Sequence, residues 1–297
     1  MAVEKTDHYQ QITDAIIAKL EAGVSPWAPG WAGARASRPL RSCGEAYRGI
    51  NVILLWMQAI EAGYSSPYWM TYNQAQELGG QVKKGAKGSR VVFFGQFDKE
   101  TELEDGSRET KSIPFLKTYC VFNAEQIEGL PARFYPTAEE SAKLPESERL
   151  QAVQDWAIAT GATIKEEGAR AFYRKSDDSV TMPEFSRFVS ADAWASTLAH
   201  ELTHWTGHGS RLNRDLSGRF GDASYAMEEL IAEMGAAFVL ADLGVSAVPR
   251  DDHASYLASW LAVLKADKRA IVTAAAAAGK AAEFLGQFIG EEIPAGV

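Results

Sequence analysis

The pentapeptide HELTH at residues 200–204 is the feature that most restricts what this chain can fold into. Apolar residues recur at helical spacing through its flanks, so a helix is predicted over 191–207. At 3.6 residues per turn, His200 and His204 project from one face of that helix, where two imidazoles can bind one cation. Glu201 flanks that face and is placed to accept a proton from a metal-bound water rather than to bind the metal. The motif therefore predicts a divalent metal site with Glu201 as catalytic base.

A third metal ligand is needed, and the sequence restricts the choice. Metzincins have a histidine six residues after the second histidine of the motif, but here that position is Ser210. His208 lies beyond a glycine and is expected in a loop. A predicted helix over 225–243 carries Glu229 and Glu233 on the face opposite its apolar stripe, and carboxylates at this spacing repel each other unless a cation compensates them. We assign Glu229 as the third ligand and Glu233 as the group that orients a histidine.

Each of these patterns also has an interpretation without a metal. An HExxH sequence arises by chance in helices, and paired glutamates are common on solvated helix faces. Their occurrence together, on successive predicted helices behind a small predicted sheet, favours the metal site.

Hydrophobic periodicity predicts an α+β fold with two domains. Helices are predicted at residues 9–22, 50–62, 71–78, 149–160, 191–207, 225–243 and 252–288. Strands are predicted at residues 90–97, 115–122, 163–165, 171–174 and 179–182. A polar stretch rich in Pro, Ala, Glu and Ser predicts a linker at 136–148 between a first domain, 1–135, and a second, 149–297. The second, a small sheet followed by the HExxH helix and the glutamate helix, is predicted to be a gluzincin-like metallopeptidase fold.

Charge is distributed unevenly between these predicted domains. The whole chain has a net charge of −9, yet residues 1–135 contain 15 Lys+Arg and 15 Asp+Glu. Six of those acids lie between Asp98 and Glu109, so the rest of the first domain is basic. No secretory signal and no run of about 20 apolar residues is present, so a cytoplasmic protein without a membrane partner is expected.

The first domain combines aromatic residues with two basic clusters, which is how proteins bind single-stranded DNA without reading its sequence. The alternative interpretation is that the aromatic residues form a core and the lysines a solubilising hairpin edge. The residues predicted to contact DNA are Trp27, Trp31, Arg35, Arg38, Arg41, Tyr47, Arg48, Asn51, Lys83, Lys84, Lys87 and Arg90.

Several long segments carry a resemblance to a known family. PWAPGW, YRGINVILL, YWMTYNQAQELGGQVKKGAKGS and VFNAEQIEGLP resemble the single-stranded-DNA-binding domain of ArdC-like antirestriction proteins and related plasmid primases. SVTMPEFSRF, STLAHELTHWTGH, YAMEELIAEMGAAFVLADLG and HASYLASWLAVLKAD resemble the zincin-like metallopeptidase domain that follows it in that family. The resemblance extends over nearly the whole chain.

The resemblance implies a plasmid-encoded protein that binds incoming single-stranded DNA during conjugation and protects it from the recipient's restriction enzymes. It also implies zinc or another divalent ion such as manganese, with His200, His204 and Glu229 as ligands and Glu201 as the catalytic glutamate. Thermolysin-type gluzincins have Glu-x-x-x-Asp on the second helix, whereas here the fifth position is Glu233. Which glutamate binds the metal therefore remains open at this stage.

Three hypotheses about function follow. The first is a DNA-localised metallopeptidase; no sequence feature identifies its protein substrate, for which the restriction machinery is one candidate. The second is a sequence-independent DNA-binding protein with a structural or inactive metal site. The third is a peptidase effector whose first domain recognises a protein.

Overall fold

The structure of the chain is a computed structural model. It describes residues 7–28, 36–102, 108–137, 140, 143–219, 221–249 and 253–290. The chain divides into two compact units. The first comprises Met1–Arg38, Arg48–Met57 and Thr137–Val297, and the second comprises Pro39–Tyr47 and Gln58–Pro136.

The first unit is built around one long buried helix. Its helices are α1 (His8–Glu21), the first part of α2 (Ile50–Ala62), α4 (Glu146–Ala159), α5 (Ala191–Thr206), α6 (Ala223–Asp242), α7 (His253–Ala266) and α8 (Ala270–Gly286). Helix α6 is buried along almost its entire length and contacts α5, α7 and α8. A Cβ atom on Gly235 would lie 2.6 Å from Cγ2 of Thr203. Glycine at this position therefore allows α6 to approach α5 closely, which brings together the two helices that carry the predicted metal ligands.

A three-stranded sheet packs beside these helices. It consists of β7 (Thr163–Glu166), β8 (Phe172–Arg174) and β9 (Ser179–Met182), in the order β7-β9-β8. Strand β9 is parallel to β7 and antiparallel to β8. Because β9 is central in this order, β8 lies at an edge of the sheet. Helix α5 contacts both β8 and β9.

The second unit contains the remaining strands. A four-stranded sheet has the order β1-β2-β5-β4, with β1 (Leu40–Arg41), β2 (Tyr68–Met70), β4 (Ser89–Glu102) and β5 (Arg108–Asn123). The short strands β3 (Gln81–Val82) and β6 (Ile127–Glu128) pair separately, and α3 (Tyr72–Glu77) begins with a capping box at Thr71. The core cluster of the second unit consists of Met70, Ala75, Ala124, Ile127, Leu130 and Phe134. Strands β4 and β5 form a hairpin, and each of the two strands is longer than predicted.

The predicted α+β fold is confirmed, but the observed units differ from the predicted division at residue 135. Residues 1–38 and 48–57 belong to the unit that contains the C-terminal half. These two segments belong to that unit because their tryptophan side chains are buried against its C-terminal helices. The ring of Trp27 packs edge-on against Trp260, and that of Trp56 packs against Phe238. Among the described residues, no helix is long and apolar enough to cross a membrane.

Candidate metal centre and nucleic-acid interface

Helix α5 holds the two motif histidines in place. It begins after Ser190, whose hydroxyl accepts a hydrogen bond from the backbone N–H of Ala193 at 3.1 Å, as an N-cap should. Leu198 and Leu202 are buried on its apolar side. His200 is itself only 2% exposed, so its imidazole lies inside the protein rather than at the surface.

Helix α6 brings Glu229 to both histidines. Nε2 of His200 lies 3.1 Å from Nε2 of His204 and 3.4 Å from Oε2 of Glu229. Nε2 of His204 lies 3.5 Å from Oε1 of Glu229. The three side chains thus converge on one point from two helices.

These separations fit a bound zinc-like ion. Ligand atoms about 2.0–2.2 Å from a tetrahedral ion are about 3.3–3.6 Å from one another. The distances between the His200, His204 and Glu229 atoms span 3.1 to 3.5 Å. Two imidazoles and one carboxylate are also the protein ligands of many catalytic zinc sites, which leave a fourth position for water or substrate. The residues present therefore fit the metal that the sequence predicts.

A second glutamate, Glu228, supports His204 from the other side of the ring. Its Oε1 atom lies 3.1 Å from Nδ1 of His204. Arg214 donates to the same carboxylate through Nε at 3.0 Å and through Nη2 at 2.7 Å. Arg214 also donates to the backbone oxygen of Thr203 and to the hydroxyl of Thr206, at the end of α5. Glu228 was not predicted, because its only signal in the sequence is its position next to Glu229.

The carboxylates around the histidines change the protonation of the site. Burial alone would lower the pKa of His204, but hydrogen bonds to Glu228 and Glu229 raise it to about 10. Burial disfavours the charged form of Glu229, yet hydrogen bonds to His200 and His204 hold the pKa of its carboxyl far below the ordinary value. The site without metal is thus an ion pair that a metal would replace, releasing the proton of His204.

The predicted roles of Glu201 and Glu233 are compatible with where these residues lie. Glu201 is 3% exposed and lines a cleft of about 1280 Å³, together with His200, His204 and Glu229. Oε1 of Glu233 lies 3.6 Å from Nδ1 of His200, a buried atom with no hydrogen-bond partner among the described residues. Glu233 is therefore placed beside the ring of His200, on the side away from the point where the three ligands converge.

Each half of the chain matches the model of a known family. Residues 151–277 match the family of zincin-like metallopeptidases, and residues 6–122 match the N-terminal domain of anti-restriction factor ArdC. The metal-free crystal structure of the antirestriction protein ArdC from plasmid R388 is 48% identical in sequence and superposes with a TM-score of 0.79. That match covers 96% of this chain and 98% of the R388 protein. The chain belongs to the ArdC family of antirestriction proteins.

Two further relatives and one further structure extend the comparison. The Mn(II)-bound structure of R388 ArdC is 47% identical, with a TM-score of 0.76, and the match covers 97% of this chain and 100% of that one. The protein y4eC of Sinorhizobium fredii is 41% identical over 94% of this chain and 92% of its own length. DNA primase TraC of Escherichia coli is 36% identical over 99% of this chain, which spans 28% of that longer protein.

Within this ArdC-family fold, two of the predicted DNA-stacking residues are buried. Trp27 is 1% exposed and packs against Trp260. Tyr47 is 8% exposed, and its hydroxyl donates to the backbone oxygen of Trp69 at 3.4 Å. A stacking platform needs an exposed ring face. The prediction that Trp27 and Tyr47 stack on bases is therefore wrong, because both rings are needed for packing.

The first basic cluster is engaged in ion pairs. Nε and Nη2 of Arg38 donate to both carboxylate oxygens of Asp242, at 2.6 and 2.7 Å, and the arginine side chain is 13% exposed. Arg48 lies 3.1 Å from Glu283, but its side chain remains 72% exposed. Arg38 is thus a structural ion-pair residue rather than a surface cation, whereas Arg48 is accessible.

The other residues of the predicted interface have different environments. Arg41 is exposed and pairs with Glu45 at 3.3 Å, and Asn51 is half-buried in α2. Trp31 and Arg35 lie outside the described residues. The second basic cluster is exposed at all four positions, which are Lys83, Lys84, Lys87 and Arg90. Of the predicted DNA contacts, this cluster in the second unit offers the largest set of accessible cations.

Proposed function

We propose that this ArdC-family chain is an antirestriction protein that binds single-stranded DNA and carries a metal-dependent peptidase site. The convergence of His200, His204 and Glu229 in the cleft lined by Glu201 is the observation that supports the peptidase site best. Zinc and manganese are the candidate metals, since the ligand set of two imidazoles and a carboxylate accepts either. The R388 relative has a Mn(II)-bound structure, which favours the same site in this chain.

The protein side chains have separate tasks in this proposal. A bound metal would supply a water whose pKa is lowered to about 7. Glu201 is buried at the cleft and is assigned neither to metal binding nor to helix packing, so it is the base that accepts the proton of that water. Glu228 and Arg214 fix the ring of His204, and Glu233 faces the ring of His200.

An edge strand beside the cleft gives a peptide a place to bind. Among the described residues strand β8 pairs with β9 alone, and all three residues of β8 line the cleft. An extended peptide can add to such an edge through backbone hydrogen bonds. Phe188 and Val189 also line the cleft, and Val189 is 92% exposed. The cleft is therefore suited to an extended segment with an apolar side chain.

The DNA-binding part of the proposal rests on different residues. Lys83, Lys84, Lys87 and Arg90 are exposed, and no acid occurs between Glu77 and Asp98. Cations that neutralise phosphates bind single strands in a salt-dependent manner without reading sequence. The match of residues 6–122 to the ArdC N-terminal domain supports this assignment.

A comparison of wild-type protein with Glu201→Ala tests the proposal. Purified wild-type protein, with and without single-stranded DNA, should hydrolyse an unfolded protein substrate in a metal-dependent manner, and Glu201→Ala should not. In conjugation into a restricting recipient, we expect protection to survive Glu201→Ala, because covering a single strand requires no cleaved bond. Protection should be lost on charge reversal of Lys83, Lys84 and Lys87. A metal-loaded wild-type protein that cleaves nothing would overturn the peptidase and leave a DNA-binding protein.

A further inference from the structure

Exposed aromatic side chains lie together on one face of the β4–β5 hairpin, in the second unit. Phe93 is 51% exposed and Tyr119 is 46% exposed. Their ring centroids are 6.4 Å apart, and the ring of Phe115 lies 6.2 Å from that of Phe93. The register pairs Phe93 with Lys117, Val91 with Tyr119, and Gly95 with Phe115. Because cross-strand partners share a face, these three rings and Lys117 form one surface, which we call the aromatic face.

The three rings of the aromatic face have different environments. A Cβ atom on Gly95 would lie 2.4 Å from Cζ of Phe115, so this ring lies against the backbone of β4 where glycine leaves room. The ammonium of Lys117 lies 5.0 Å from the centroid of the same ring. Phe115 is therefore the ring of the three that contacts both the backbone of β4 and a cation. Phe93 and Tyr119 are the more exposed rings of the three.

The charge around the aromatic face is positive. Among the paired residues 89–96 and 114–121 there is no acid, and Lys117 lies on the aromatic face opposite Phe93, whereas Arg90 points to the other face of the hairpin. The acids of this hairpin begin at Asp98 and are therefore further towards its tip. Exposed aromatic rings beside a cation, with no acid among their paired neighbours, complement a polyanion whose bases have apolar faces.

We propose that the aromatic face is the base-stacking surface for single-stranded DNA, with Phe93 and Tyr119 as its platforms and Lys117 as a phosphate or base contact. The inference rests on the proposed DNA-binding function and assigns it a surface. It replaces Trp27 and Tyr47, which the structure places in the core. The ring spacing of 6.2 and 6.4 Å is larger than the rise of about 3.4 Å per nucleotide in a stacked strand, so neighbouring rings would contact separate bases of an extended strand.

The test uses full-length protein and a fluorescein-labelled oligothymidine, with binding followed by anisotropy at several salt concentrations. Phe93→Ala and Tyr119→Ala should each weaken binding by about tenfold, the scale of one lost base–aromatic stack. Phe93→Trp should retain affinity, because it preserves a ring face. Lys117→Gln should reduce the magnitude of the slope of log affinity against log salt by about 0.7, the value for one phosphate contact on a single strand, whereas the aromatic variants should leave the slope unchanged.

Phe94→Ala is the matched control. Phe94 neighbours Phe93 on the same strand, is 44% exposed, and points to the opposite face of the hairpin. Equal losses for Phe93→Ala and Phe94→Ala would overturn the assignment, as would unchanged affinity in a folded Phe93→Ala/Tyr119→Ala protein. A wild-type dimer that Phe93→Ala converts to monomer would identify the face as a contact between copies and also overturn it. Wild-type protein that does not bind the oligothymidine would instead refute the proposed DNA binding itself.

Discussion

Nδ1 of His204 lies 3.1 Å from a carboxylate oxygen of Glu228, the residue that directly precedes the proposed third metal ligand. The same carboxylate receives two hydrogen bonds from Arg214. Arg214 lies in the irregular segment after α5 and also binds the last turn of that helix. One arginine therefore connects the segment after α5, the end of α5 and the start of α6 to the imidazole of His204, a proposed metal ligand.

Replacing Glu228 should weaken metal binding without removing a ligand. In Glu228→Gln the partner of His204 loses its charge, and Arg214 loses its counterion. We expect metal affinity to fall by about 10- to 100-fold, which is typical when the partner of a metal-binding histidine is changed. Competition with a chromophoric chelator measures this directly. Exposed Glu167→Gln is the control and should bind metal as wild type does; equal affinities for both variants would show that Glu228 does not support the site.

Glu229 and Glu233 should differ in their effect on metal content. The carboxylate of Glu229 is within 3.5 Å of both histidine Nε2 atoms, whereas Glu233 lies beside Nδ1 of His200. Glu229→Ala should therefore abolish stoichiometric metal binding, and Glu233→Ala should only weaken it. Elemental analysis of the purified variants separates the two. If Glu233→Ala loses the metal and Glu229→Ala retains it, the ligand is Glu233, which stands where thermolysin-type gluzincins have an aspartate.

Trp27 should contribute to stability rather than to DNA binding. Its ring is fully buried against Trp260, so Trp27→Ala should lower the free energy of unfolding by about 3–5 kcal/mol. Val24→Ala, at a 51% exposed position nearby, should change it by less than about 0.5 kcal/mol. Urea unfolding measures both. Folded Trp27→Ala that has lost its affinity for single-stranded DNA would restore the tryptophan as a binding residue.

The Arg38–Asp242 ion pair predicts a pH-dependent effect of mutation. Burial raises the pKa of Asp242, and the guanidinium of Arg38 opposes that rise. A carboxyl whose folded-state pKa is raised contributes stability that is present below its ordinary pKa and is lost as pH rises through the folded-state value. Removing Arg38 raises the pKa of Asp242 further. Arg38→Met should therefore cost about 3–5 kcal/mol of unfolding free energy at neutral pH and much less in acid.

Urea unfolding at neutral and acidic pH tests this expectation. Arg48→Met is the control, because the Arg48 side chain is 72% exposed and its pair with Glu283 should contribute at most about 1 kcal/mol. A loss for Arg38→Met that is the same at both pH values would mean that its packing, rather than its charge, stabilises the fold.

The two helices that carry the proposed metal ligands could be predicted from the sequence because the periodicity that defines them is local. The spacing of His200 and His204, and of Glu229 and Glu233, follows from helical periodicity, and the predicted bounds of α5 and α6 are within two residues of those observed. Glu228 was missed because its partner Arg214 returns to the site through an irregular segment, which periodicity does not describe. Trp27 was misassigned for a similar reason, since aromatic content does not reveal whether a residue outside regular secondary structure is buried.

The metal content of purified wild-type, Glu201→Ala and His204→Ala proteins tests the central claim most directly. His204 is a ligand in this account, while Glu201 lines the same cleft without binding the metal. We predict about one divalent ion per chain in wild type and in Glu201→Ala, and little or none in folded His204→Ala. Equal metal content in wild type and His204→Ala, or loss of metal in Glu201→Ala, would contradict the proposed site.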